Sequence, residues 1–131
     1  MKFAYTIIYV ENVEETLAFY EEAFGFSRKF LTPEKDYGEL QTGLTTLSFA
    51  SAELGLSNFK KGFRLITPTE KPMGVELAFT SQNIHEDFER AQQAGAIVYE
   101  PIVKKPWGQE VGYLLDINGF LIEVCTPLTQ E

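Results

Sequence analysis

The sequence predicts an α+β fold assembled from two βαβββ modules, and three observations carry the prediction. Subtracting 71 from the residue number lays Glu76 on Tyr5 (76 − 5 = 71), Phe79 on Ile8, Asn83 on Asn12, Ile84 on Val13, Glu86 on Glu15 and Ala94 on Ala23. Both copies read strand, asparagine cap, amphipathic helix and glycine stop. Each helix is followed by short β-rich stretches separated by Gly, Pro or Asn-Gly. Solenoid periods run from about 20 to 50 residues, so a single repeat at a longer spacing points to two similar modules packed in one domain, with any function between them.

Lys2 to Val10 is rich in β-branched and aromatic residues and reads as the first strand. Asn12 and Glu15 make a capping-box pattern for a helix ending near Phe24, whose apolar Val13, Leu17, Tyr20 and Phe24 recur at spacings of four and three. Gly25 supplies the left-handed stop. Phe26 to Leu31 is a strand, Thr32 to Asp36 a turn around Pro33, and Tyr37 to Thr42 a strand. Gly43 then turns the chain into Leu44 to Ala50, closing module one at about residue 50. Periodicity is lost over 51–72, where only Phe63 to Ile66 has strand character; a connection of that length is a candidate cavity lid.

Module two, about 73–127, opens with the strand Gly74 to Thr80. Asn83 and Glu86 repeat the capping box ahead of a helix from Ile84 to Ala94, with Ile84, Phe88 and Ala91 as its buried stripe and Gly95 as its end. Ile97 to Tyr99 is a short strand, Pro101 to Pro106 a basic loop and Gln109 to Leu115 a strand. Asp116-Ile117-Asn118-Gly119 is a hairpin turn, since Asn-Gly tolerates positive φ angles, and Phe120 to Thr126 is the final strand.

With 131 residues, 44% of them hydrophobic, the chain can bury one sizeable core but not two, so a single domain over 1–131 is expected. Nineteen acidic residues against 11 basic ones give a formal charge of −8, which repels nucleic-acid phosphates and anionic bilayers. Neither is an expected partner; a cationic or neutral ligand is easier to accommodate. Cys125 is the only cysteine, so no intrachain disulfide can form. With no signal-peptide pattern and no apolar run of membrane-spanning length, the expected location is cytoplasmic.

Side chains alternate across a strand, which assigns Val75, Leu77 and Phe79 to the helix side and Glu76, Ala78 and Thr80 to the open side. In the last strand Phe120, Ile122 and Val124 take the helix side. Leu121, Glu123 and Cys125 are left on the open one, so two carboxylates share that face. The offset of 71 adds Tyr5, Ile7 and Tyr9 from module one. A second offset, from aligning Gly119 with Gly43 (119 − 43 = 76), lays Glu123 on Leu47 and adds Thr45, Leu47 and Phe49. Tyr113 shares a face with Val111 and Leu115, and its direction stays open. His85, the sole histidine, falls in the first turn of the second helix and is assigned a solvated or capping role. Cys125 is assigned the role of a small buried hydrophobe.

The stretches YVENVEETLAFYEEAFGF, GVELAFTSQNI and PWGQEVGYLLDINGFLIEV, in this order and spacing, resemble the vicinal oxygen chelate superfamily, which includes glyoxalase I, extradiol dioxygenases, fosfomycin-resistance enzymes and bleomycin-binding proteins. The resemblance covers almost the whole chain. It implies an incompletely closed, eight-stranded concave sheet and a homodimer. In enzymatic members it implies a divalent metal such as Ni, Zn, Mn or Fe, held by His or Glu from the first and last strands of each module. Those four positions are here Tyr5, Leu47, Glu76 and Glu123. Only Glu76 and Glu123 keep an ordinary ligand type, and two carboxylates plus a phenol make a poor cage, so no complete catalytic metal site is expected.

The leading expectation is a glyoxalase/bleomycin-resistance-like protein that binds a small, partly aromatic or cationic molecule without a cofactor. Glu76 and Glu123 orient the guest while Tyr5, Tyr9, Leu47, Phe49 and Trp107 surround it. Trp107 enters because the resemblance implies a ligand-contacting or dimer-contacting aromatic in the loop at the cavity rim. Two alternatives stand beside it. One is a metal-dependent lyase, isomerase or dioxygenase using Glu76 and Glu123; the other is a non-catalytic structural or regulatory dimer. For the individual residues the bland assignment is ordinary core packing of the rings, and solvation of the carboxylates or their pairing with Arg64, Lys104 or Lys105.

Overall fold

The computed structural model describes residues 1–128. The chain divides into two compact units, Met1–Ile66 and Thr67–Glu131, so the boundary falls inside the expected connection. In the first unit, strands β1 (Tyr5–Val10), β2 (Ser27–Leu31), β3 (Tyr37–Gln41) and β4 (Thr46–Ser51) form an open sheet in the order β1-β4-β3-β2. There β1 runs parallel to β4 and the other neighbours are antiparallel.

Helix α1 (Val13–Phe24) crosses between β1 and β2. It starts where the asparagine predicts, because Asn12 accepts the Glu15 backbone N–H at 2.9 Å, and it stops at Gly25, whose φ of 77° is the left-handed cap. Its apolar stripe is buried against one face of the sheet. Tyr20 meets the Phe49 ring at 4.9 Å, and a Cβ on Gly38 would strike Leu17. Burying each such side chain stabilises the unit by about 1.5–3 kcal/mol.

The connection departs from expectation. Residues Ala52–Asn58 form a second helix, α2, capped by the Ser51 hydroxyl, which accepts the Leu54 N–H at 3.0 Å. Phe63 to Ile66 form no strand. Seven residues are too few for an apolar period to stand out from the sequence.

The second unit repeats the plan with β5 (Glu76–Thr80), α3 (Ile84–Gln93), β6 (Ile97–Lys104), β7 (Glu110–Leu115) and β8 (Leu121–Cys125), in the strand order β5-β8-β7-β6. Again the first and last strands are parallel. The buried residues of α3 are Ile84, Phe88 and Ala91, the expected stripe. Its cap is different: the Asn83 side chain makes no capping bond. The Ser81 hydroxyl instead accepts the Asn83 N–H at 3.0 Å and donates to Asp87 at 2.6 Å.

Strand β6 runs through Pro101 to Lys104, across what was expected to be a basic loop. It lies at the sheet edge, and its pairing with β7 shifts register on both sides of Glu100, which is where a strand tolerates a residue without an N–H. In the β7–β8 turn Asp116 Oδ1 accepts the N–H groups of Asn118 and Phe120, each at 2.8 Å. Only Gly119 in that turn takes positive φ, 90°, and a Cβ there would lie 2.6 Å from the Thr67 carbonyl oxygen. Among the described residues no helix is long and apolar enough to cross a membrane.

Candidate functional site

Two close contacts define which face of each sheet is covered by its helix. In the second unit Gly112 abuts Phe88 of α3 and pairs with Val124 of β8, so Gly112, Leu114, Ile122 and Val124 face the helix. The opposite face carries Glu76, Ala78 and Thr80 of β5, Leu121, Glu123 and Cys125 of β8, and Val111, Tyr113 and Leu115 of β7. Ile97, Glu100 and Val103 of β6 complete it. The expected pair is therefore assembled: Ala78 lies beside Glu123 and Glu76 beside Leu121, which puts the two carboxyls diagonally across adjacent strands.

Glu123 is the centre of this group. Its carboxylate contributes, through hydrogen bonding and charge, to a raised pKa at each of Glu76, Tyr113 and Cys125. A bond between two carboxyl groups requires that one of them keep a proton. That bond, followed by lost hydration and the like charge of Glu123, pushes Glu76 up to about 7. Tyr113 stands directly opposite Glu123 on β7. Burial first, and then the charges of Glu123 and Glu76, raise its phenol above the ordinary range. Burial also pushes the Cys125 thiol up to about 11, with the hydrogen bond to Glu123 adding to the effect. Cys125 is thus a protonated, buried thiol, as expected for a small hydrophobe, although it also touches the pair.

The first unit corrects the expectation for Leu47 and Phe49. Parallel pairing sets Thr6 beside Leu47 and Ile8 beside Phe49, whereas Ile7 pairs with Ser48 and Tyr9 with Ala50. Leu47 and Phe49 therefore lie on the helix face. Phe49 is 0% exposed against Tyr20, and Leu47 is buried too. Six residues, 41–46, separate the paired Leu40 and Leu47, but seven, 115–121, separate the equivalent pair Leu114 and Ile122. Aligning the two turns on their glycines slips the register by one residue, which turns every side chain to the wrong face. The true counterpart of Glu123 is Ser48 (123 − 75 = 48, with 78 − 7 = 71 for the neighbouring strands).

Tyr5 and Tyr9 do lie on the first sheet's open face, Tyr5 at 54% exposure and Tyr9 half-buried. Beside them stands a cluster that sequence reasoning missed. The Tyr37 hydroxyl donates to Glu39 Oε2 at 2.7 Å and lies 3.0 Å from Ser48 Oγ, with Lys29 Nζ 3.8 Å from Glu39 Oε1. Burial raises the Tyr37 phenol, and Glu39 adds to the rise. Trp107 is at the tip of the β6–β7 hairpin, 64% exposed, its indole N–H donating to Gln109 at 2.9 Å. His85 stays at the start of α3, with Nε2 3.2 Å from a Glu110 carboxylate oxygen; both belong to the helix side of the sheet.

The donor set does not fit the divalent metal that the fold suggests. The second unit brings the Glu76–Glu123 pair and no imidazole to this face, where a hard cation wants several oxygen donors and a nitrogen-preferring one wants imidazole. The equivalent positions of the first unit offer a phenol and a hydroxyl, Tyr5 and Ser48. Among the described residues no three His, Cys, Asp or Glu side chains are grouped so as to hold an ion.

Comparison with known proteins agrees with this architecture. No curated protein matches the chain. A glyoxalase-related enzyme from Fulvimarina pelagi superposes with a TM-score of 0.80 at 20% identity, over 97% of this chain and 88% of the other. A glyoxalase/bleomycin resistance protein/dioxygenase family enzyme from Burkholderia phytofirmans PsJN gives 0.81 at 18% identity, over 96% and 98%. A lactoylglutathione lyase from Agrobacterium tumefaciens gives 0.70 at 17%, over 95% and 92%. At these identities the likeness is one of fold, that of glyoxalase and bleomycin-resistance proteins with its two βαβββ modules. The family model described as "Glyoxalase-like domain" matches residues 3–129, and the chain belongs to that family, within the vicinal oxygen chelate superfamily.

Proposed function

We propose that this protein binds a small, cationic and partly aromatic molecule on the open face of its second sheet, without a catalytic metal. The observation that carries the reading is the Glu76–Glu123 pair, set diagonally on adjacent strands with Tyr113 directly opposite Glu123. Glu100 adds a third carboxylate opposite Tyr113, and none of the strand residues on that face is Lys or Arg. Lys104 is paired with Glu110 on the other face. Around the carboxylates lie Ala78, Val103, Val111, Leu115 and Leu121, so the face offers an apolar bed with a few acidic anchors, the usual composition of a small-molecule site. A guest with an amine or amidine and a flat apolar body matches both features.

Calorimetric titration tests the reading with two probes, benzamidine and metal-free bleomycin, a basic glycopeptide. Binding should weaken at least about tenfold on Glu123→Gln, since a hydrogen bond to a charged group contributes about 1.5–3 kcal/mol. Heat that is absent with both probes, or unchanged by the substitution, would sink the proposal.

A further inference from the structure

Strand β6 is irregular on both sides of one residue. From Ile97, opposite Leu115, and Val98, opposite Leu114, regular alternation would bring Tyr99 to Tyr113 and turn Glu100 to the helix side, opposite Gly112. An extra residue before Glu100 pairs it with Tyr113 instead, and its side chain joins the open face. A second extra residue follows. It sets Val103 opposite Val111 and Lys104 opposite Glu110, while Ile102 packs on the helix side, where a Cβ on Gly112 would strike it. Without that second residue Lys104 would fall on the open face. The two bulges together bring a negative charge onto this face and keep a positive one off it.

The result is one row across three hydrogen-bonded strands. Glu123 of β8, Tyr113 of β7 and Glu100 of β6 stand directly opposite one another. Neighbouring strands lie about 4.8 Å apart, so the two glutamates are separated by about 10 Å at the backbone, with Tyr113 between them. Glu76 sits diagonally from Glu123, so the β8 end of the row has two carboxyls and the β6 end one. Glu100 is exposed, and Tyr113 and Glu123 are half-buried. A charge-assisted hydrogen bond spans only about 2.8 Å, so one ammonium group satisfies one end of the row and leaves the other.

We infer that the guest of this face is a dication: a flat apolar body over Tyr113, one cationic group held by Glu76 and Glu123, and a second held by Glu100. The inference rests on the binding reading above and specifies the ligand class of the same site. The two cationic groups must lie at opposite ends of the body, because a pair set side by side reaches one end of the row only. Aromatic diamines and diamidines have this form. The general acidity of the face attracts any dication equally, so spacing alone decides between isomers of equal charge.

Calorimetric titration with para-xylylenediamine and ortho-xylylenediamine tests the spacing, since the two carry the same charge, the same ring and two equivalent amines. The wild-type chain should bind the para isomer about two- to fivefold more tightly, the size of one exposed ion pair. In Glu100→Gln the two isomers should bind alike. Equal affinities in the wild-type chain, a preference for the ortho isomer, no binding of either diamine, or a para preference that survives in Glu100→Gln would each overturn the dication. Benzamidine binding that weakens on Glu123→Gln would in those cases still uphold the reading of the Glu76–Glu123 pair. If benzamidine, bleomycin and both diamines all fail to bind, that reading falls and the dication with it.

Discussion

Glu76 and Glu123 lie diagonally across neighbouring parallel strands, and the nearness of Glu123 makes Glu76 hold its proton up to about pH 7, which sets the electrostatics of the second sheet's open face. Glu76 binds that proton more tightly in the folded chain than unfolded, with its ordinary value of 4.5 raised to about 7. Its contribution to stability is thus fully present below pH 4.5 and is lost as the pH rises through 7. Thermal melting across this window should show the wild-type Tm falling relative to Glu76→Gln, which has no proton to lose. In a carbon-13 titration, Glu76 should move at about pH 7 in the wild type and return toward the ordinary carboxylate range in Glu123→Gln. Identical melting profiles would mean that the folded chain does not hold the Glu76 proton more tightly than the unfolded one.

The donor set around Glu76 and Glu123, with Tyr5 and Ser48 at the equivalent positions of the first unit, speaks against a tightly held metal. Protein purified without chelator should carry no stoichiometric Ni, Zn, Mn or Fe by elemental analysis, and EDTA should leave benzamidine binding unchanged. A metal present at one per chain and lost in Glu76→Ala would restore the metal-dependent lyase, isomerase or dioxygenase as the better reading.

How far the chain could be read from its letters differs between the two units. The offset of 71 between β1 and β5 was legible because Asn12 and Asn83, and the glycines after each helix, repeat at almost one spacing. It placed Tyr5, Tyr9 and Glu76 on the open faces where the sheets put them. The last strands were harder. Gly43 and Gly119 both mark turns, but the connections around them differ by one residue, and only hydrogen-bond register reveals it. Tyr113 had the same problem. Its direction follows at once from Leu115 pairing with Leu121 across the Asp116–Gly119 turn, a pairing that the turn's length alone does not dictate. α2 was invisible because seven residues show no period, and the Tyr37–Glu39–Ser48 cluster because its members come together across two strands rather than along one.

The corrected register makes its own prediction. Phe49 is fully buried against Tyr20, so Phe49→Ala should lower stability by about 3–5 kcal/mol in urea unfolding. Benzamidine affinity, measured under conditions where the variant is folded, should be unchanged. A variant that keeps its stability but loses the guest would return Phe49 to the open face.

The start of α3 separates sequence pattern from structure most cleanly, because Ser81 and Asn83, two positions apart, compete for one role. Asn83 and Glu86 spell a capping box, as Asn12 and Glu15 do, but only the Asn12 oxygen is bonded to the backbone three residues on. At α3 the backbone of Asn83 is itself the donor, and Ser81 accepts from it while its own hydroxyl proton goes to Asp87. Ser81 is buried, so removing its oxygen leaves an N–H and a carboxylate oxygen without their partner in a place water reaches poorly. Ser81→Ala should therefore cost about 1–2 kcal/mol, within the range for loss of a helix cap, and Asn83→Ala only a few tenths. Urea unfolding of the two variants side by side decides it: equal losses, or a larger one at Asn83, would mean that the sequence pattern and not the Ser81 bridge holds the end of the helix.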